Sequence, residues 1–183
     1  RLSAQEDKRT IYWDKKDHFI DLRLSWRAST TRHLFHVLPG QRILEIGAGN
    51  GKFTKALIKA TRNACEITAV VFSHKYQDEI KETLNNTVDI VCLDSFPGLL
   101  QNKKYDYVIA YNMLENKTCN AFLSSIKSLI KPGGGLLLFE PNPWNIYYQI
   151  RRMLLRWLPF SFFRLVEPVN MNRLQVFSVL SEI

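Results

Sequence analysis

The chain has 183 residues, 46% of them hydrophobic and 23% charged, with a net charge of +8. That is enough length for one packed domain, and the composition is far from that of disordered chains. Cys65, Cys92 and Cys119 are odd in number and widely spaced, with no CxxC pair and no histidine at ligand spacing, so a disulfide framework and a metal site are excluded and reduced core thiols are expected.

Residues 1–10 lack the apolar core of a signal peptide, and no run reaches 18 apolar residues, which predicts a cytoplasmic enzyme. The chain opens on Arg1 rather than Met and is read as a piece of a longer protein. Residues 3–37 are polar with scattered Trp and His and are predicted to form a helical flap, domain 1–37, over a ligand crevice.

The most informative stretch is 41–54, QRILEIGAGNGKFT. Ile43, Leu44 and Ile46 suit a buried parallel strand over 42–46; the alternating glycines allow a tight turn with close backbone approach; Phe53, Ala56, Leu57 and Ala60 then recur at helical spacing over 52–62. Unpaired N–H groups at the helix start favour an acceptor-rich ligand. A P-loop would need glycine and a hydroxyl where Ile46 and Phe53 stand, and the turn is G-x-G-x-G rather than the dinucleotide G-x-G-x-x-G. Glu45 repels a pyrophosphate but suits an ammonium group, so a ligand carrying ammonium, carboxylate, ribose and adenine fits best.

Further strands are predicted at 66–72, 88–93, 105–111 and 135–140, with helices at 75–86 and 119–131. The last helix carries an apolar stripe, Phe122, Ile126, Leu129 and Ile130, and Pro132-Gly133-Gly134 is expected to stop it. Strictly alternating strands and helices predict an α/β fold with a doubly wound, mostly parallel sheet.

LEIGAGNG resembles the first motif of class I S-adenosylmethionine-dependent methyltransferases, and three more resemblances follow in order: VCLDSFPG at 91–98, YDYVIAYNMLE at 105–115 and IKPGGGLLLFEPN at 130–142. The resemblance spans 34–142 and implies a Rossmann-like methyltransferase fold with an S-adenosylmethionine-binding core at 38–142. By this analogy Glu45 and the amides of Gly47, Ala48, Gly49 and Gly51 hold the amino acid part of the cofactor. Phe72 lies against the adenine; Ser73, Asp94 and Ser95 line the nucleoside; Asn112 and Met113 line the reactive sulfur. Strand two in this family ends on an acidic residue that grips the ribose, but Val71 stands there, so Val71→Glu or Val71→Asp is expected to tighten cofactor binding. Family members carry two more strands; this chain, expected to be helical at 172–183, is read as lacking that pair.

The acceptor is expected to be a small or lipid-like molecule. His18, His33 and His36 in the flap are candidate general bases, and no catalytic residue is assigned. Segment 144–165 mixes Arg151, Arg152, Arg156 and Arg164 with large apolar residues, which suits an acceptor-side or interfacial helix within 143–183 and peripheral membrane contact. The basic residues form no dense run, so an RNA acceptor is a minor alternative. A catalytically weak cofactor-binding module is favoured by Val71, and a nicotinamide-dependent oxidoreductase is disfavoured by Glu45.

Overall fold

The computed structural model describes residues 2–14, 18–84, 87–93, 96, 98–100, 102–111, 113 and 119–140. Two helices come first, α1 (Leu2–Trp13) and α2 (His18–Leu34). Then follow β1 (Arg42–Ile46), α3 (Lys52–Ala60), β2 (Glu66–Val71), α4 (His74–Leu84), β3 (Asp89–Cys92), a 3-10 turn (Gly98–Leu100), β4 (Tyr105–Tyr111), α5 (Cys119–Leu129) and β5 (Ile130–Phe139).

The five strands form one sheet in the order β3-β2-β1-β4-β5, with every neighbouring pair parallel. This is the doubly wound α/β sheet expected of the alternation. β1 lies at its centre, and Ile43 to Ile46 are wholly buried because helices cover both faces. Successive side chains of a strand point to opposite faces, so the core divides in two. Leu44, Ile46, Val70, Val108 and Ala110 pack with Phe122, Leu123, Ile126 and Leu129 of α5. On the other face Ile43, Ile67 and Ile109 pack with Leu24 and Ala28 of α2 and with Phe53 and Leu57 of α3, while Ala69 and Val71 meet Tyr76 and Ile80 of α4.

One boundary differs from the sequence reading. Pro132-Gly133-Gly134 does not stop α5, which has already ended at Leu129; the tripeptide is absorbed into β5. Tyr105 pairs with Ile130 and Tyr107 with Gly135, so the extra residues of β5 are accommodated as an irregularity in the ladder. A Cβ on Gly134 would sit 2.5 Å from the Asp106 carbonyl, which is why a glycine is needed at that crossing. The bulge also brings Lys131 Nζ to within 2.9 Å of the Asp106 carboxylate.

Among the described residues the sheet has these five strands and no hairpin beside β5. The segment 144–165 and the helix expected at 172–183 lie outside the described residues. Among the described residues no helix is long and apolar enough to cross a membrane.

Candidate functional site

The chain runs from β1 outward through β2 to β3, then returns to place β4 on the other side of β1. Such a reversal splays the loops at the carboxyl ends of the strands and opens a crevice there. Its walls are the turn after Ile46, the end of β2 at Val71 and Phe72, and the end of β4 at Tyr111.

Three amides of the glycine turn are engaged by neighbouring backbone. Gly47 N and Ala48 N both donate to the Val70 carbonyl, at 2.9 and 2.8 Å, and Gly51 N donates to the Ala48 carbonyl at 3.1 Å. Two of these amides thus continue the pairing of β1 with β2, and one closes the turn on itself. Gly49 N points into the crevice, where it donates to Glu6 Oε1 at 3.0 Å. Gly47 turns its carbonyl the same way and accepts from Arg9 Nη2. Gly49 has φ +57°, and a Cβ there would lie 2.3 Å from Thr10 Oγ1, so conformation and space both demand glycine.

Both partners of these groups come from α1. The second oxygen of Glu6 accepts from Phe72 N at 2.8 Å, and Arg9 Nη1 donates to the Tyr111 carbonyl at 2.7 Å. Glu6 is 0% exposed and Arg9 6%. Burial raises the Glu6 pKa against the opposing pull of the Phe72 amide, Arg9 and the Gly49 amide. Burial likewise lowers Arg9, offset by the charges of Glu6, Glu45, Tyr111 and Glu140. Trp13 lies 4.9 Å beneath the Arg9 guanidinium and packs edge-on against Tyr111.

Glu45 sits behind the turn on the α3 face of β1, fully buried, and neither carboxylate oxygen has a hydrogen-bond partner. Burial pushes its pKa up to about 7; the Thr54 hydroxyl, outside hydrogen-bond geometry, and the Arg9 charge draw it partly back, while Glu6 adds to the rise. Burial and the Glu45 charge also push the Tyr111 phenol well above its ordinary value. A cation brought beside this carboxylate would favour its ionised form and offset the cost of burying it.

The structure brings Met113 to this place. Its Cε would meet a Cβ on Gly47 at 2.6 Å, and its backbone N donates to Glu140 Oε1 at 2.8 Å. Phe72 is 8% exposed and packs with Leu44, Ile46 and Met113 on the α5 face. Ala48 is buried in the α4 cluster. Ser73 is half-buried, and its carbonyl accepts from the amides of Tyr76 and Gln77 at the start of α4. Asp94, Ser95 and Asn112 lie outside the described residues. Val71 is 0% exposed and belongs to the cluster of Ala48, Tyr76 and Ile80, so its side chain is core.

Two candidate bases are misplaced. His33 shares a cavity with Lys59 and Arg62 at the carboxyl end of α3, and His36 stands six residues before β1 begins. Both lie at the amino edge of the sheet, away from the crevice. Cys65 and Cys92 are half-buried thiols rather than residues deep in the core. Among the described residues no cluster of His, Cys, Asp or Glu could hold a metal.

Glu6 and Arg9 were missed by the sequence reading. A signal was present: Leu2, Glu6, Arg9 and Trp13 recur at helical spacing, so two charges interrupt a stripe that should be apolar if it only packed. Reading it required knowing what α1 packs against.

A parallel sheet, a G-x-G-x-G turn at its switch point and a buried carboxylate beneath that turn define an α/β domain that binds a cationic, acceptor-rich small molecule. A family model described as Methyltransferase domain matches residues 43–134, half of the chain. The chain belongs to this family, within the class I S-adenosylmethionine-dependent methyltransferases. It is 32% identical over 152 residues to the highly reducing polyketide synthase sorA of Penicillium rubens, covering 71% of this chain and 6% of that protein. The chain thus spans a few per cent of the length of the curated relatives it matches, 3% for the hybrid synthetase traA of Penicillium crustosum. Among solved structures it is similar in fold to the CurJ carbon methyltransferase, with a TM-score of 0.66 and 23% identity over 97% of this chain and 51% of that one.

Proposed function

We propose that this domain transfers a methyl group from S-adenosylmethionine to a small acyl or polyketide-like acceptor. The observation that carries the reading is Glu45: a wholly buried carboxylate with no hydrogen-bond partner, beneath a glycine turn whose Gly47 carbonyl already accepts from the Arg9 guanidinium. The crevice therefore presents complementary places for an ammonium group at Glu45 and the Gly47 carbonyl, and for acceptor atoms at the Gly49 and Phe72 amides. These residues fit the cofactor's chemistry. S-adenosylmethionine supplies an activated methyl group on a sulfonium.

What the chain itself does is to bind, orient and exclude water. Glu45 and the Gly47 carbonyl fix the charged end, the Gly49 and Phe72 amides fix the rest, and Met113, packed against Gly47, walls the crevice. Asp94, Ser95 and Asn112 follow the ends of β3 and β4 in the chain and are retained as proposed contacts to the cofactor. Holding a nucleophile in line at about 3 to 3.5 Å supplies much of the rate. Support for the acceptor class comes from the polyketide synthases among the relatives and from the fold shared with a carbon methyltransferase.

Titration calorimetry tests the reading. S-adenosylmethionine and its demethylated product are expected to bind, and NADH is not; binding of NADH alone would overturn it. Detection of labelled methyl on an acyl thioester, and not on RNA, tests the acceptor. The weak-module alternative draws on Val71 and predicts millimolar affinity with no transfer. Peripheral membrane contact through 144–165 is a separate proposal, refuted if the chain fails to sediment with anionic vesicles at low salt.

A further inference from the structure

We propose that α1 is a tethered occupant of the cofactor crevice, holding the binding groups of β1, β2 and β4 with its own Glu6 and Arg9 and yielding them only when the cofactor displaces the helix. The inference rests on the reading above for the identity of the displacing ligand.

The face of α1 that enters the crevice is Glu6, Arg9, Thr10 and Trp13, at helical spacing i, i+3, i+4 and i+7. Its polar members are among the most buried in the molecule, Glu6 at 0%, Thr10 at 1% and Arg9 at 6%. Burying two opposite charges is costly unless each finds fixed partners. Each does, on backbone groups at the ends of three strands: the Glu6 carboxylate takes the Gly49 and Phe72 amides, and the Arg9 guanidinium gives to the Gly47 and Tyr111 carbonyls. These are the groups that would hold an amino acid nucleoside, met by matching charges: a cation at the Gly47 carbonyl near Glu45, and acceptor oxygens at the amides.

The helix is also fastened at its other end. Asn50 Nδ2 donates to Asp14 Oδ1, and Lys52 Nζ donates to the Trp13 carbonyl at 2.5 Å, which ties the last turn of α1 to the start of α3. Thr10 closes against Gly49 so tightly that even a methyl group would not fit between them. Helix and ligand therefore exclude each other at the turn. Apparent affinity is then the intrinsic affinity reduced by the fraction of molecules with α1 displaced. The arrangement makes cofactor loading the event that frees α1.

The test measures S-adenosylmethionine affinity by calorimetry for the whole chain and for Glu6→Ala/Arg9→Met, which removes both charges and strands neither. The variant is expected to bind about tenfold or more tightly than the wild type. Glu6→Gln, which keeps shape and loses charge, is expected to shift the same way by a smaller factor. Weaker binding in the variants would overturn the proposal by placing Glu6 and Arg9 among the groups that hold the cofactor, and unchanged binding would overturn it by showing no competition. A second readout needs no ligand. The Gly49 and Phe72 amides are expected to exchange slowly in the wild type and faster in Glu6→Ala; equal exchange would show that α1 does not engage them. If Glu6→Ala does speed that exchange while no form of the chain binds S-adenosylmethionine, the cofactor assignment fails by itself and the helix yields to some other ligand.

Discussion

Replacing Glu45 with glutamine exchanges a buried acid for a neutral amide of the same shape, and stability and binding should respond in opposite directions. Burial raises the Glu45 pKa from 4.5 to about 7 in the folded protein. Between those values the folded state holds a proton that the unfolded chain has released, so the folded state binds more protons and stability falls as pH rises. Below pH 4.5 both states are protonated and there is no penalty; above about 7 the penalty is complete, at about 3 kcal/mol for a shift of this size. Glutamine carries none of it. Glu45→Gln is therefore expected to match the wild type near pH 4 and to melt higher at pH 8, by ~6 to 12 °C for a domain of this length. An amide cannot pair with an ammonium group, so cofactor affinity should fall about ten- to a hundredfold. Thermal unfolding by circular dichroism at pH 4, 6 and 8, with titration of S-adenosylmethionine at pH 8, checks both halves. Equal midpoints for the two proteins at every pH would refute the reasoning, because they would mean that Arg9 fully offsets the cost of burying the carboxylate.

Val71→Asp, expected from the sequence to tighten cofactor binding, places its carboxylate in the cluster of Ala48, Tyr76 and Ile80; a loss of about 3 kcal/mol or more is expected by urea denaturation, and an unchanged midpoint would show that the side chain reaches the crevice instead. Asp106 accepts from the Arg42 amide at 2.7 Å and from Lys131. Although burial acts to raise its pKa, those two partners win and lower it below 3.8. Its contribution is thus present above pH 3.8 and lost as pH falls through the lower folded value. Asp106→Asn should cost about 1 to 3 kcal/mol at pH 7, with the difference shrinking in acid; a constant difference down to pH 2 would show that the charge plays no part.

The stretch 41–54 was legible because its causes are local. A buried strand shows as an apolar run, a tight turn as glycines, and an amphipathic helix as 3.6-residue spacing, and all three are properties of a few consecutive residues. Alternation of such units implied the parallel sheet. The start of β5 was not legible, because Pro132-Gly133-Gly134 reads as a helix stop and only pairing with β4 turns it into a ladder irregularity. Val71 could be seen to lack a charge, but not to be enclosed by α4. His33 and His36 showed as ionisable groups in the flap, and only the path of α2 toward the start of β1 carries them to the wrong edge.

By itself, then, the sequence determined the fold class, the glycine turn, Glu45 beneath it and the family to which they belong, since each is written in short-range pattern. The tertiary structure decided what fills the crevice. Glu6 and Arg9 precede Gly47 by some 40 residues, and the Tyr111 carbonyl follows Arg9 by 102. Such groups meet because the sheet reverses direction at β1 and the flap folds over the reversal, a consequence of global packing that no local spacing encodes.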